Sequence, residues 1–320
     1  MKRLTKSVKQ YFKENLGILI GFFTLCVIVA LLNNRFLSRG NILNVLRQLF
    51  SNCNLALGMC LVIITGGIDL SVGAIMALSG TLCAGTIAAG QLPIPVAILM
   101  GLAIGVLVGF INGTITAKMN IAPFIVTMAT QQICRGLVYV YADGLPIRCD
   151  NPPFNFLGNG YIGEIPITIL YSIFFVIVIW LVLSKSQLGR WIYAVGGNKN
   201  AARFSGINVD KVLMIVYSIS GFLAAFAGII YCARMYSGQP TLGNGDETDA
   251  IAAVVLGGTS FSGGIGKIGG VVIGILIIAV LSNALNLLGI NSFWQLVAKG
   301  VVILLAVCVD NIKTHKRVKG

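Results

Sequence analysis

The chain reads as a succession of apolar runs separated by polar breaks. Leu16–Leu32 is the first run, and at about 1.5 Å per helical residue it is just long enough to cross a bilayer. Asn33–Phe50 is polar and then amphipathic, with Ile42, Val45, Leu46 and Leu49 at helical spacing. This predicts an interfacial helix leading into a second span, Asn54–Ile64. Val72–Ala89, a run to Ile111 after a turn marked by Pro93 and Pro95, Pro123–Tyr141 and Ile165–Leu183 predict spans three to six. Val212–Ala233, Ile268–Leu288 and Ser292–Val309 predict three more, while Ala250–Gly266 is apolar but short and broken by glycine. The polar stretches between them are Ala142–Glu164, Ser184–Lys211 and Arg234–Asp249.

Composition turns these runs into a class. Of 320 residues 57% are hydrophobic and 10% charged, against about 25% charged in a soluble domain. The mean hydropathy is +0.91, and the chain is an all-α polytopic membrane protein. A net charge of +13 in a soluble protein would suggest nucleic acid. Here the charge sits at the termini and in short loops, where membrane lipids with anionic headgroups and the orientation rule account for it. Residues 1–15, the loop Ser184–Lys211 and the tail 311–320 are the most basic segments, which predicts all three to be cytoplasmic. Six spans then separate the first two, and an even number must separate the loop from the tail. Ala250–Gly266 is therefore expected to be a short eighth span, giving ten crossings with both ends inside. Arg35, Arg39 and Arg47 run against the rule. The N-terminus resembles a signal peptide, but Asn33-Asn34-Arg35 follows Leu32 instead of a small-residue cleavage site, so the first run reads as a retained span. Six of eight cysteines fall inside apolar runs and no Cys-x-x-Cys pair exists, so they read as small fillers.

The stretch from Thr65 to Gly73, Thr-Gly-Gly-Ile-Asp-Leu-Ser-Val-Gly, interrupts this pattern. Asp69 sits between two apolar runs, and an aspartate at the centre of a membrane helix costs roughly 2.5–3.5 kcal/mol. The glycines around it favour an interruption of the helix. Such breaks survive at membrane depth where protein buries them or a cavity wets them. Two readings stand: a break facing a pathway, or a turn at the cytoplasmic surface with Asp69 in water. Gly101, Gly105, Gly109 and Gly113 lie four apart on one helical face, and Gly266, Gly270 and Gly274 repeat the spacing, which predicts close helix packing.

Several chemistries are excluded. Gly266-Lys267 is the nearest approach to a P-loop, but Phe261 stands where the first glycine belongs and Ile268 replaces the Ser/Thr. The single histidine, His315, offers no triad or metal set. Gly243-Asn-Gly245 lacks the strand and third glycine of a dinucleotide fingerprint. The chain is expected to be no enzyme, with no catalytic residue, metal or cofactor of its own.

Three motifs in one order carry a resemblance. They are Thr65–Gly73; Gly189-Arg-Trp-Ile-Tyr-Ala-Val-Gly-Gly-Asn198 continuing through Ala201-Ala-Arg-Phe-Ser-Gly-Ile207; and Asp249-Ala-Ile-Ala-Ala-Val-Val-Leu-Gly-Gly-Thr259 with Ser262-Gly-Gly264. From about Phe36 to Asn311 the chain resembles the membrane permeases of bacterial ABC importers for monosaccharides, most of all the ribose type, in the branched-chain amino acid/ribose permease superfamily. The resemblance implies one permease domain over residues 1–320, about ten transmembrane helices and a fold like the vitamin B12-type (type II) importers. It implies a permease homodimer in the bacterial inner membrane, two ATPase subunits that bind ATP and magnesium, and a periplasmic or lipid-anchored sugar-binding protein. It also implies that Ser184–Lys211 docks into the ATPase. Within that loop Gly196, Gly197, Asn198, Ala201, Ala202, Arg203 and Gly206 are the coupling candidates, with Asn198 capping a short helix. The alternative function is a stand-alone secondary sugar transporter or channel, distinguished by its energy source.

Sugars ask for hydroxyl and amide partners. Asp69, Ser71, Asn112, Gln131, Gln132, Asn283, Asn286 and Gln295 are candidates for the pathway lining, and each serves equally well as an interhelical tie. Lys299 is the lysine inside the last span and completes the set; it either pairs with Asp69 or binds helix-end carbonyls.

Overall fold

The computed structural model describes residues 2–318, with side chains for 16–305 and 308. The basic segments expected at 1–15 and 311–320 lie outside the described side chains. The first half comprises α1 (Lys2–Leu32), α2 (Arg39–Ile64), α3 (Val72–Ala88), α4 (Ile94–Lys118) and α5 (Pro123–Ala142). Next come β1 (Ile147–Arg148), α6 (Pro152–Asn159), β2 (Tyr161–Ile162), β3 (Ile165–Pro166), α7 (Ile167–Lys185), α8 (Gln187–Gly197) and α9 (Lys199–Phe204). The chain ends with α10 (Val209–Met235), β4 (Ser237–Gly238), α11 (Asp246–Leu256), α12 (Ile268–Leu287) and α13 (Ser292–Val318). Among the described residues α2, α4, α7, α10 and α12 are long and apolar enough to cross a membrane. Leu16–Leu32, Val72–Ala88 and Ser292–Leu305 are shorter apolar helical stretches.

α10 is the hub, packed against α4, α3 and α2. The glycine stripe of α4 makes the closest of these contacts. A Cβ at Gly105 would strike the Gly221 carbonyl, and one at Gly109 the Tyr217 carbonyl. Gly221 in turn faces the carbonyl of Gly105. With no water to expel from between them, two helices in lipid gain by such close approach, which only small residues permit. The pairing also fixes direction: Gly101 lies against Ile229 and Gly113 against Met214, so α4 and α10 run antiparallel. Gly109→Leu is expected to split this pair and eliminate folded permease, since overpacking costs about 1–3 kcal/mol even where side chains can yield and here the obstacle is backbone. Size-exclusion of a fluorescent fusion from detergent-solubilised membranes measures it.

Three elements differ from the sequence-based expectation. The interfacial helix and the second span are one helix, α2, capped by Ser38, whose side chain accepts from the Asn41 amide at 3.3 Å. Its polar first turns lie at the end away from Lys118 and Lys185, where Arg39 meets Glu164 at 2.6 Å and Arg47 stacks over Tyr161. These partners account for two of the arginines that ran against the orientation rule. The fourth span does not end at Ile111 but continues to Lys118, with Gly113 still seated on α10. The eighth span, expected at Ala250–Gly266, is corrected too. Its helix is Asp246–Leu256, 11 residues and about 16 Å, too short for a core of about 30 Å. The chain before it, 239–245, descends without regular structure, and the glycines after it, Gly258, Gly263 and Gly264, adopt left-handed φ values of 83°, 82° and 70° that stop the helix from continuing.

Candidate translocation site

The link between α2 and α3 is a buried break in the helix, not a wetted turn. Asp69 is 0% exposed, and so are Thr65 and Ser71. One oxygen of Asp69 accepts from the Ser71 amide at 3.0 Å and the Ser71 hydroxyl at 2.6 Å. The first of these is a local turn in which the aspartate caps the chain entering α3. The other oxygen accepts from the Ser220 hydroxyl of α10 at 3.0 Å. The chain of bonds continues outward: Asn112 of α4 donates to the Ser71 hydroxyl at 2.9 Å, and Thr130 of α5 donates to Asn112 at 2.7 Å. Two segments, the α2–α3 link and α10, therefore meet on one carboxylate, and α4 and α5 are tied to it through Ser71 and Asn112. Ser220 lies 11 residues into α10, about 16 Å from that helix's start, which is roughly half the depth of a bilayer core.

The short helix α11 begins at the same place. Gly73, in the first turn of α3, abuts the Gly243 carbonyl and the Glu247 carboxylate. Gly243 and Gly245, at φ 69° and 88°, bend the descending segment so that α11 starts there. Asp246, Glu247 and Asp249 all fall in the first turn of α11, where the positive end of the helix dipole favours them. Gln131 of α5 donates to Glu247 at 3.1 Å, while the other Glu247 oxygen has no hydrogen-bond partner. Arg135, one turn further along α5, donates to the carbonyls of Pro240 and Leu242 at 2.6 and 2.7 Å and pins the descending segment. Its remaining terminal nitrogen is buried and unpartnered. Lys299 of α13 pairs with Asp249 at 2.5 Å.

The structure thus brings Asp69, Ser71, Asn112 and Gln131 together around the starts of α3 and α11. Lys299 joins the second group. Its partner is neither Asp69 nor a helix-end carbonyl but Asp249, because Asp69 is already saturated by hydroxyl and amide donors. Asn283 and Asn286 are placed elsewhere. Asn283 exchanges two hydrogen bonds with Asn41 near the start of α2, at 2.8 and 2.9 Å. Asn286 accepts from Gln295 at 2.9 Å beside the α12–α13 turn. Gln132 is exposed on the outer face of α5. Sequence reasoning missed Ser220, Thr130, Arg135, Glu247 and Asp249. Arg135 carried a visible signal, a charge inside the fifth apolar run. Glu247 and Asp249 did not, since three carboxylates within four residues read as a loop.

The connection between α7 and α10 is two helices. α8 packs inward: Tyr193 donates to the Gly266 carbonyl at 2.8 Å, and Gly196 is pressed against the Ile64 carbonyl and the Gly264 amide. Gly196 is therefore engaged by its own chain, and Ala202 is buried as well. α9 stands outside. Asn198 caps it, accepting from the Ala201 amide at 3.0 Å. Gly197, Asn198, Ala201, Arg203 and Gly206 are exposed, Arg203 pairs with Asp210 at 3.0 Å, and Phe204 is 93% exposed.

Apolar helices that enclose a buried break and an 11-residue helix, with the starts of α3 and α11 meeting at a buried polar cluster, define a membrane transport protein. Residues 41–307 match the family described as the permease component of the branched-chain amino acid transport system, and the chain belongs to that family. It is 50% identical over 303 residues to the ribose import permease protein RbsC of Bacillus subtilis, covering 94% of each chain. It is 46% identical over 299 residues to the protein of that name from Escherichia coli K12, covering 92% of this chain and 93% of that one. The D-allose transport system permease protein AlsC of the same strain is 40% identical over 296 residues, covering 91% and 90%.

Proposed function

We propose that this chain is the membrane permease of an ABC importer and carries ribose across a bacterial cytoplasmic membrane. The observation that carries the reading is the order of identities: 50% and 46% to ribose permeases, 40% to a D-allose permease and 35% to galactose/methyl galactoside permeases. The polar cluster supports it chemically. The free oxygen of Glu247 and the free nitrogen of Arg135 supply an acceptor and a donor to a passing hydroxyl, beside the amides of Gln131 and Asn112. The chain makes ten crossings, the eighth completed by the non-helical segment 239–245 together with α11. Both ends lie inside, and the fold is of the vitamin B12 type. It works as a homodimer with two ATPase subunits and an external sugar-binding protein. Uptake of labelled ribose by cells expressing the permease with its ATPase and binding protein tests this. Uptake is expected to be competed by ribose before allose or galactose, and to vanish when the ATPase is disabled. Uptake that persists without the ATPase and follows a proton or sodium gradient would replace this reading with a secondary transporter.

The same reading assigns α9 to the ATPase. Movement at α9 reaches α8, whose Gly196 bears on the last carbonyl of α2, five residues before Asp69. Phe204 is the anchor, since exposed aromatics without an internal role are the residues that dominate docking. Phe204→Asp and Gly197→Glu replace side chains in open space and are expected to leave the permease inserted. Phe204→Asp is expected to weaken ATPase pull-down by about thirtyfold, the effect of a ~2 kcal/mol anchor, and to lower uptake in parallel. Full binding and uptake in both variants would move the coupling surface elsewhere.

A further inference from the structure

The outer surface between α4 and α10 carries a groove that the transport reading leaves unused. It has a volume of about 460 Å³. Phe110 of α4 and Met214, Ile215, Ser218 and Phe222 of α10 line it, and Lys211 stands at one end. The Ser218 hydroxyl donates to the Met214 carbonyl at 2.8 Å, so it presents no free donor to the groove. Phe222 closes the other end, backed by Phe226 at 6.5 Å and Phe175 at 6.1 Å between ring centres. Phe110 and Ile215 are exposed on either wall. From Lys211 to Phe222 the groove follows α10 for 11 residues, about 16 Å, which is the thickness of one leaflet's hydrocarbon.

We infer that this groove holds one acyl chain of an anionic phospholipid, with its phosphate on Lys211. Charge and position both point to that occupant. Lys211 begins the membrane part of α10, and Lys118 ends the antiparallel α4 beside it. Asp210, the adjacent acid, is held by Arg203, so Lys211 has no carboxylate partner among the described residues. Basic residues at the mouth of an apolar cleft between spans form the site that anionic headgroups select, and the leaflet that faces basic loops is the one that carries them. An acyl chain matches the groove in length, in its lack of polar groups and in entering from the side open to lipid.

Photo-crosslinking of the full-length permease, extracted from its membrane in mild detergent, tests this. The probe is phosphatidylglycerol with a diazirine on its acyl chain, and labelled peptides are mapped by mass spectrometry. Labelling is expected within residues 106–110 and 214–222, competed by unlabelled phosphatidylglycerol far better than by phosphatidylcholine. Lys211→Glu, an exposed substitution, is expected to reduce labelling at least fivefold, the effect of about one headgroup contact. Ile219→Trp, which fills the groove and leaves Lys211 in place, is expected to displace the label. Equal competition by phosphatidylcholine, indifference to Lys211→Glu, or labels spread over the helices facing lipid would each overturn the site and leave only a general lipid coat.

Discussion

Asp69→Ala is expected to eliminate folded permease from the membrane, whereas Asp69→Asn retains most of it. The alanine removes the acceptor for three donors at a site 0% exposed. The two hydroxyls can turn, but the Ser71 amide is fixed by the start of α3. A buried polar group left without a partner costs about 1–3 kcal/mol. Two or three such groups amount to a large share of a total stability of about 5–15 kcal/mol. Loss would also spread, since Ser71 is the acceptor for Asn112 and Asn112 for Thr130. Asparagine keeps the oxygen that serves Ser71 and turns its amide toward Ser220, whose hydroxyl accepts as readily as it donates. Membrane abundance and thermal melting of a fluorescent fusion separate the two variants. If Asp69→Ala melts like the parent, the carboxylate is not a structural centre and is retained for passage alone.

What could be read from the sequence follows from which forces are local. The long runs behind α7, α10 and α12 were legible because each is apolar over a whole span. The four-residue glycine stripe of α4 was legible as a packing face, though not its partner: Gly221 and Tyr217 supply backbone, which no sequence pattern displays. The break at Asp69 was legible from a charge between apolar runs, while its partner Ser220 looks like any serine in a membrane helix. α11 was misread for a physical reason. Carboxylates in a first turn suit the helix dipole, but along the sequence they resemble a solvated loop. Glu247 and Asp249 are buried against partners far off in sequence, Gln131 of α5 and Lys299, 50 residues on. Asn283 and Asn286 were grouped with Asp69 by residue type alone, and the fold places them beside Asn41 and Gln295 instead.

Lys299→Met is the second large effect, and its rescue is the informative part. Lys299 is about three-quarters buried and Asp249 nearly fully so, in a first turn that also carries Asp246 and Glu247. Removing the cation leaves several carboxylates of one turn without it in a low-dielectric site. Breaking one side of a buried pair costs about 3–5 kcal/mol, mostly the penalty of the charge left behind. α13 would also lose its polar tie to α11. The single variant is therefore expected to fall to a small fraction of parental abundance. Replacing both partners, Lys299→Met with Asp249→Leu, removes the stranded charge and keeps the volume apolar, so abundance and melting temperature are expected to recover most of the way. The double-mutant cycle reads the coupling directly, with an expected interaction of about 2–3 kcal/mol. Transport then divides the roles. A stable double variant that still moves ribose makes the pair a structural tie, and one that is stable but inert makes it a moving part of the passage. Additive losses in the double variant would show that the two side chains act separately and that α13 is held to α11 by its apolar contacts alone.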